Sequence, residues 1–141
     1  MAKTTKVLLV DNDVDIVDMN KAVLEHQGYE VVTAFSGRDG LETAKLERPD
    51  IIVLDLMMEK HDSGFSCAKA LKADPNLRHI PILMLTSVAE ATGFRFSLEK
   101  DRYWMKTDDF ADKPLLPAEL LKRIERLLNA GGDTHEQTST S

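Results

Sequence analysis

The chain has 141 residues, enough for one domain around a single core, and its 43% hydrophobic and 30% charged content is that of an ordinary globular protein. A formal net charge of −6 argues against direct DNA binding, because phosphate contacts require clustered Lys and Arg. No apolar run approaches the ~20 residues that cross a bilayer, and the N-terminal MAKTTKVLLVDND lacks a signal-peptide cleavage region, so no membrane association is expected. The single cysteine, Cys67, cannot form an internal disulfide and suits a reducing cytoplasm; with no activating neighbour it reads as a small helix residue.

In chain order, the first strand-like run is Lys6–Val10, which stops at Asp11-Asn12-Asp13. Ile16, Met19 and Val23 then recur at i, i+3, i+7, predicting a helix that buries those three and ends at Gly28. A second strand is predicted over Glu30–Thr33. Ser36 and Asp39 have capping-box spacing ahead of Leu41 and Ala44, although Asp replaces the commoner Glu or Gln, and Pro49 bars that helix from continuing. Ile51–Leu54 is a third strand ending at Asp55, and Pro81–Leu85 a fourth ending at Thr86. A weaker strand, Phe110–Ala111, leads into Asp112-Lys113-Pro114. Pro117 fits the first turn of a final helix with a Leu120, Ile124, Leu127, Leu128 stripe and a stop at Gly131. Residues 131–141, GGDTHEQTSTS, hold no large apolar side chain and predict a disordered polar tail, leaving 1–130 as the folded unit.

VLLV and IIVL are continuously apolar rather than alternating, as expected of central parallel strands covered on both faces. Strands separated by helices call for right-handed βαβ crossovers. The predicted fold is α/β: a flavodoxin-like, doubly wound, five-stranded parallel sheet in the order 2-1-3-4-5, with helices on both faces. No internal repeat is present.

In that order the strands ending at Asp11 and Asp55 are neighbours at the topological switch point, where ligands bind. Two carboxylates brought together repel and call for a cation, and oxygen donors favour Mg²⁺. A carboxylate directly after four apolar strand residues is costly unless it meets a cation or donors. Asp13 equally suits a helix cap, and the scattered His26, His61, His79 and His135 have no metal-ligand spacing. Thr86 places a hydroxyl on the same rim. Pro114 biases Lys113 toward an extended conformation from which its amine reaches back over the sheet edge.

With VLLVDND (Val7–Asp13), IIVLDLM (Ile51–Met57), PILMLTS (Pro81–Ser87) and DDFADKP (Asp108–Pro114) in this order, the sequence resembles the receiver domain of two-component response regulators, single-domain and chemotaxis-regulator-like, over about Lys6 to Asn129. The resemblance implies that Asp55 is the phosphoacceptor, taking a phosphoryl group from a phosphohistidine of a sensor histidine kinase or phosphotransfer protein. It implies Mg²⁺ held by Asp11, Asn12, Asp55 and the backbone carbonyl of Met57. Thr86 matches the switch hydroxyl, Lys113 the lysine that pairs with the phosphoryl group, and Phe110 the switch aromatic; Asp55, Lys113 and Thr86 would act in the transfer. Such a protein is a signalling phosphoprotein rather than an enzyme, and is expected to be a monomer or weak dimer. With only the tail after Asn129, its output is expected to be contact with a downstream protein.

Three departures accompany the resemblance. Asn12 stands where the family usually has a second aspartate, which removes one negative charge from the metal set. Met58 occupies a place where proline is common, and the Glu59–Ser63 loop is one residue longer than usual. The segment Ala89–Thr107 is extended and carries Phe94, Phe96, Tyr103 and Trp104, four of the eight aromatics in the chain, which makes it a candidate partner surface. Two other readings use the same residues. A degenerate receiver would bind partners without phosphorylation. A haloacid-dehalogenase-type phosphatase would use Asp11 as nucleophile, Asp13 as acid/base, Thr86 and Lys113, but leaves Asp55 without a role.

Overall fold

A computed structural model describes residues 4–55, 63–86, 109–112 and 115–140. The strands are β1 (Lys6–Val10), β2 (Glu30–Ala34), β3 (Ile51–Asp55), β4 (Ile82–Thr86) and β5 (Asp109–Asp112). The helices among the described residues are α1 (Val14–His26), α2 (Gly37–Glu47), α3 (Ser63–Ala73) and α4 (Pro117–Thr140). The strands form one parallel sheet in the order β2-β1-β3-β4-β5, the flavodoxin-like arrangement expected from the sequence.

Side chains alternate across each strand, and the sheet separates two apolar layers. Leu8, Val10, Ile52, Leu54, Ile82 and Met84 face α2 and α3, where Ala44, Cys67, Ala68 and Leu71 meet them. Val7, Leu9, Ile51, Val53, Leu83 and Leu85 face the other way, against Val17 and Leu24 of α1 and Leu120, Ile124 and Leu127 of α4. Burial on both faces is why these strands are apolar at every position rather than at every second one. Gly40 lets α2 close on β1, since a Cβ there would lie 2.9 Å from both methyl groups of Val10.

The helix ends follow local chemistry. Asp13 caps α1, its Oδ1 accepting from the N–H groups of Asp15 at 3.1 Å and Ile16 at 3.2 Å. At the other end Gly28 adopts φ 95°, and the N–H groups of Tyr29 and Gly28 donate to the carbonyls of Leu24 and Glu25, closing a Schellman motif. Ser36 Oγ caps α2 by accepting from the N–H of Asp39 at 3.1 Å. Arg48 then turns left-handed (φ 47°) ahead of Pro49, where the helix must stop.

Two expectations are corrected. The inner stripe of α1 is Val17, Asn20 and Leu24, one position on from the expected Ile16, Met19 and Val23; Met19 is 47% exposed. Both stripes fit a helical period, and the more apolar one lost because the Asp13 cap fixes the rotation at which α1 meets the sheet. At the C-terminus, α4 continues through Gly131, the expected stop, to Thr140. Glycine inside a helix costs roughly 1 kcal/mol relative to alanine, which weakens a helix without obliging it to end. α3, the helix expected around Cys67 but not bounded from the sequence, draws on apolar spacing in FSCAKALKA.

Candidate functional site at the carboxyl edge of the sheet

β1 and β3 pair in parallel with Val10 opposite Leu54, so one further step in the same register sets Asp11 beside Asp55. Asp55 is the last residue of β3 and only 1% exposed; Asp11 follows β1 and is 5% exposed. The period of two turns both carboxylates toward the layer that contains α1 and α4, the side of Leu9 and Val53. Backbone bonds hold Asp11 in place: its N–H donates to Ala34 O at 3.1 Å, and its Oδ1 accepts from the N–H of Asp13 at 3.0 Å. Asn12 and Asp13 are exposed at the rim.

β4 and β5 extend the same edge. Asp55 pairs with Leu85, which places Thr86, the end of β4, one step beyond it, and Thr86 pairs with Asp112 of β5. Phe110 lies within β5 opposite Met84. The topology therefore brings Asp11, Asn12, Asp55 and Thr86 to one edge of the sheet. Met57, Lys113, Phe94, Phe96, Tyr103 and Trp104 lie outside the described residues, as do Met58 and all of the Glu59–Ser63 loop before Ser63.

The donor set fits a hard divalent cation. Two buried carboxylates on adjacent strands, with an amide at the rim, offer oxygen ligands only, and Mg²⁺ takes one or two carboxylates and keeps several waters. Among the described residues no three His, Cys, Asp or Glu side chains form a group that could hold a metal ion. The phosphatase reading loses support, because Asp13 Oδ1 is engaged in capping α1, whereas Asp55 is buried beside Asp11.

Two polar residues escaped the sequence reading. Asn20 is 7% exposed on the inner stripe of α1, and its Oδ1 meets no hydrogen-bond donor among the described residues. The signal was present as a polar residue on the Val17–Leu24 stripe. Lys72 is 4% exposed and donates to the carbonyls of Arg78 at 3.0 Å and Ile80 at 3.1 Å, tying the end of α3 to the turn before β4. Cys67 is buried, and burial pushes its thiol up to about 12, which agrees with the inert reading. No helix among the described residues is long and apolar enough to cross a membrane.

Residues 7–125 match the response regulator receiver domain family. The chain is 37% identical over 123 residues to the alkaline phosphatase synthesis transcriptional regulatory protein PhoP of Bacillus subtilis, a match covering 87% of this chain and 48% of that protein. It is 34% identical over 123 residues to the DNA-binding dual master transcriptional regulator RpaA of Synechocystis, covering 87% of this chain and 48% of RpaA. The chemotaxis response regulator CheY4 of Vibrio cholerae superposes with a TM-score of 0.76 at 33% identity, covering 89% of this chain and 99% of CheY4. The chain spans about half the length of the curated relatives it matches.

These relatives overturn the expectation of no direct DNA binding, since RpaA is a DNA-binding regulator and PhoP a transcriptional one. That expectation rested on the net charge of this segment, which carries no information about a DNA contact made by another part of a longer polypeptide. Receiver domains typically bind Mg²⁺ and are signalling proteins rather than conventional enzymes. By its matched residues and its sheet order, the chain belongs to the response regulator receiver domain family of two-component systems.

Proposed function

We propose that this chain receives a phosphoryl group on Asp55 from a phosphohistidine of a sensor histidine kinase or phosphotransfer protein, and relays it as a conformational change to a downstream partner. The observation that carries this reading is the placement of Asp55, 1% exposed at the end of β3, one register step from the pairing that brings Asp11 alongside. An Asp55 carboxylate oxygen attacks phosphorus, the P–N bond breaks, and the imidazole leaves with the electron pair. Water later hydrolyses the acyl phosphate.

Asp11, Asn12, Asp55 and the Met57 carbonyl would hold Mg²⁺, which when bound supplies positive charge opposite the carboxylates and the phosphoryl oxygens. Asn12 contributes an amide oxygen, so the set carries one negative charge fewer than three acids would, and metal affinity is correspondingly lower. Lys113 pairs with the phosphoryl oxygens, and Thr86 donates its hydroxyl to them. Phe110 then reorients and biases the two-state element that partners read. The segment from Ala89 to Thr107 tunes partner choice through Phe94, Phe96, Tyr103 and Trp104. The receiver unit comprises residues 1–130, in a reducing cytoplasm.

The test is phosphorylation with a small phosphodonor and Mg²⁺, trapping of the acyl phosphate by reduction, and mass-spectrometric mapping. Label on Asp55, absent from Asp55→Asn, is the expected result. Label on Asp11 would point to phosphatase chemistry, and no label under excess donor and metal would leave a phosphorylation-independent binding module. Polar replacement of Phe94, Phe96 and Trp104 should change the affinity for at least one partner without unfolding the chain.

A further inference from the structure

A small cavity of about 10 Å³ lies between α1 and the sheet, immediately under the carboxyl edge. Asp11 and Asn20 supply its polar lining, while Ile16, Val17, Val53 and Leu85 close it with apolar side chains. Space of this size is at the lower limit of what admits one water. Asn20 is 93% buried by the complement of its 7% exposure, and its Oδ1 has no hydrogen-bond partner among the described residues. An amide carbonyl left bare beside Leu9, Val17, Val53 and Leu85 would be destabilising, and a leucine at this position would be the simpler solution. A buried amide oxygen facing a water-sized space beside a carboxylate is the arrangement in which an ordered water is held.

We propose that Asn20 is a positioning residue for the metal site: with one water in this cavity, it holds the Asp11 carboxylate in the orientation that binds a divalent cation. The inference rests on the reading that Asp11 and Asp55 bind Mg²⁺. The water donates to Asn20 Oδ1 and to the carboxylate of Asp11, so α1 fixes the aim of the ligand that β1 presents. Groups that orient a metal ligand without touching the metal commonly govern affinity by 10- to 100-fold. The role belongs to Asn20 and not to Asp13, whose Oδ1 is engaged in capping α1 at the rim.

The experiment is an NMR titration of the full chain with Mg²⁺, following the Asp11 and Asp55 amides, beside chemical unfolding in EDTA. Asn20→Leu keeps the volume and removes the polar atoms; it should weaken Mg²⁺ binding about 10-fold or more while leaving the EDTA-treated protein as stable as the wild type. Unchanged Mg²⁺ affinity in folded Asn20→Leu would overturn the inference, since a purely structural amide predicts that result. Should Asn20→Leu not fold, Asn20→Ala decides: weakened binding supports the role, and wild-type affinity overturns it. A wild-type chain that binds no Mg²⁺ overturns the reading of the site and this inference together, an outcome distinct from failure of Asn20 alone.

Discussion

Replacing Asp55 with Asn should make the metal-free protein more stable and largely abolish its stabilisation by Mg²⁺. Asp11 and Asp55 are 5% and 1% exposed, at the ends of strands that are direct neighbours in the sheet. Neighbouring strands are ~4.8 Å apart, so the two carboxylates lie on the order of 5 Å from each other. Two like charges at about 5 Å repel by about 3 kcal/mol at an effective dielectric of 20. Nearby donors and cations offset part of this, leaving about 1–2 kcal/mol that an isosteric amide would relieve. The assay is urea denaturation in EDTA and again in Mg²⁺. At ten times its dissociation constant, Mg²⁺ should stabilise the wild type by about 1.4 kcal/mol, and Asp55→Asn by much less. A variant less stable than the wild type in EDTA, or one that gains equally from Mg²⁺, would refute the reasoning.

Gly40→Ala would place a methyl 2.9 Å from both Cγ atoms of Val10, on buried β1; a loss of about 1–3 kcal/mol in urea denaturation is expected. Lys72→Met strips the ammonium from the Arg78 and Ile80 carbonyls, which should cost about 1–3 kcal/mol and speed amide exchange around the turn before β4. Asp13→Ala removes the α1 cap and should cost about 1 kcal/mol, read by the same denaturation. Burial pushes the Cys67 thiol up to about 12 from an ordinary value near 9, so the native protein should resist thiol reagents at pH 8. Because the unfolded thiol ionises first, its contribution to stability is complete below pH ~9 and is lost as pH rises toward about 12. Rapid labelling of native Cys67 at pH 8 would contradict this.

The central strands β1, β3 and β4 were legible because each is nearly pure in apolar residues up to its last position. VLLV and IIVL announce burial on both faces, and the structure places their ends, Asp11 and Asp55, beside each other as the order 2-1-3-4-5 requires. β4 was expected from Pro81, yet begins at Ile82: Pro81 has no N–H, and it serves β3 instead, its carbonyl accepting from Ile52 at 3.0 Å. The rotation of α1 was not legible. Ile16, Met19 and Val23 make a more apolar stripe than Val17, Asn20 and Leu24, yet the second faces the sheet. Periodicity states that a helix has an inner face; the cap and the strand beneath it decide which face that is. Lys72 was hidden for a related reason, since a lysine on a helix reads as solvated until the chain beyond it supplies carbonyls for it to donate to.

The same rotation connects the carboxyl edge to the body of the domain. Asp11 Oδ1 accepts from the N–H of Asp13, and Asp13 in turn accepts from the first N–H groups of α1. Further along that helix, Val17 and Leu24 belong to the apolar layer on the sheet, with Asn20 between them on the same buried stripe. A change of charge at the rim therefore acts on a group already tied to the start of a helix, and along its length to the sheet it packs on. That contiguity costs something in the resting protein, where two carboxylates and an amide are kept from water. Under the proposed function, relief of that cost by a cation, and its reversal when a phosphoryl group adds charge, would give the helix two environments with different preferred positions. If the coupling runs this way, Mg²⁺ should shift amide resonances along the inner stripe of α1 as far as Leu24, and Asn20→Leu should confine those shifts to residues 11–16.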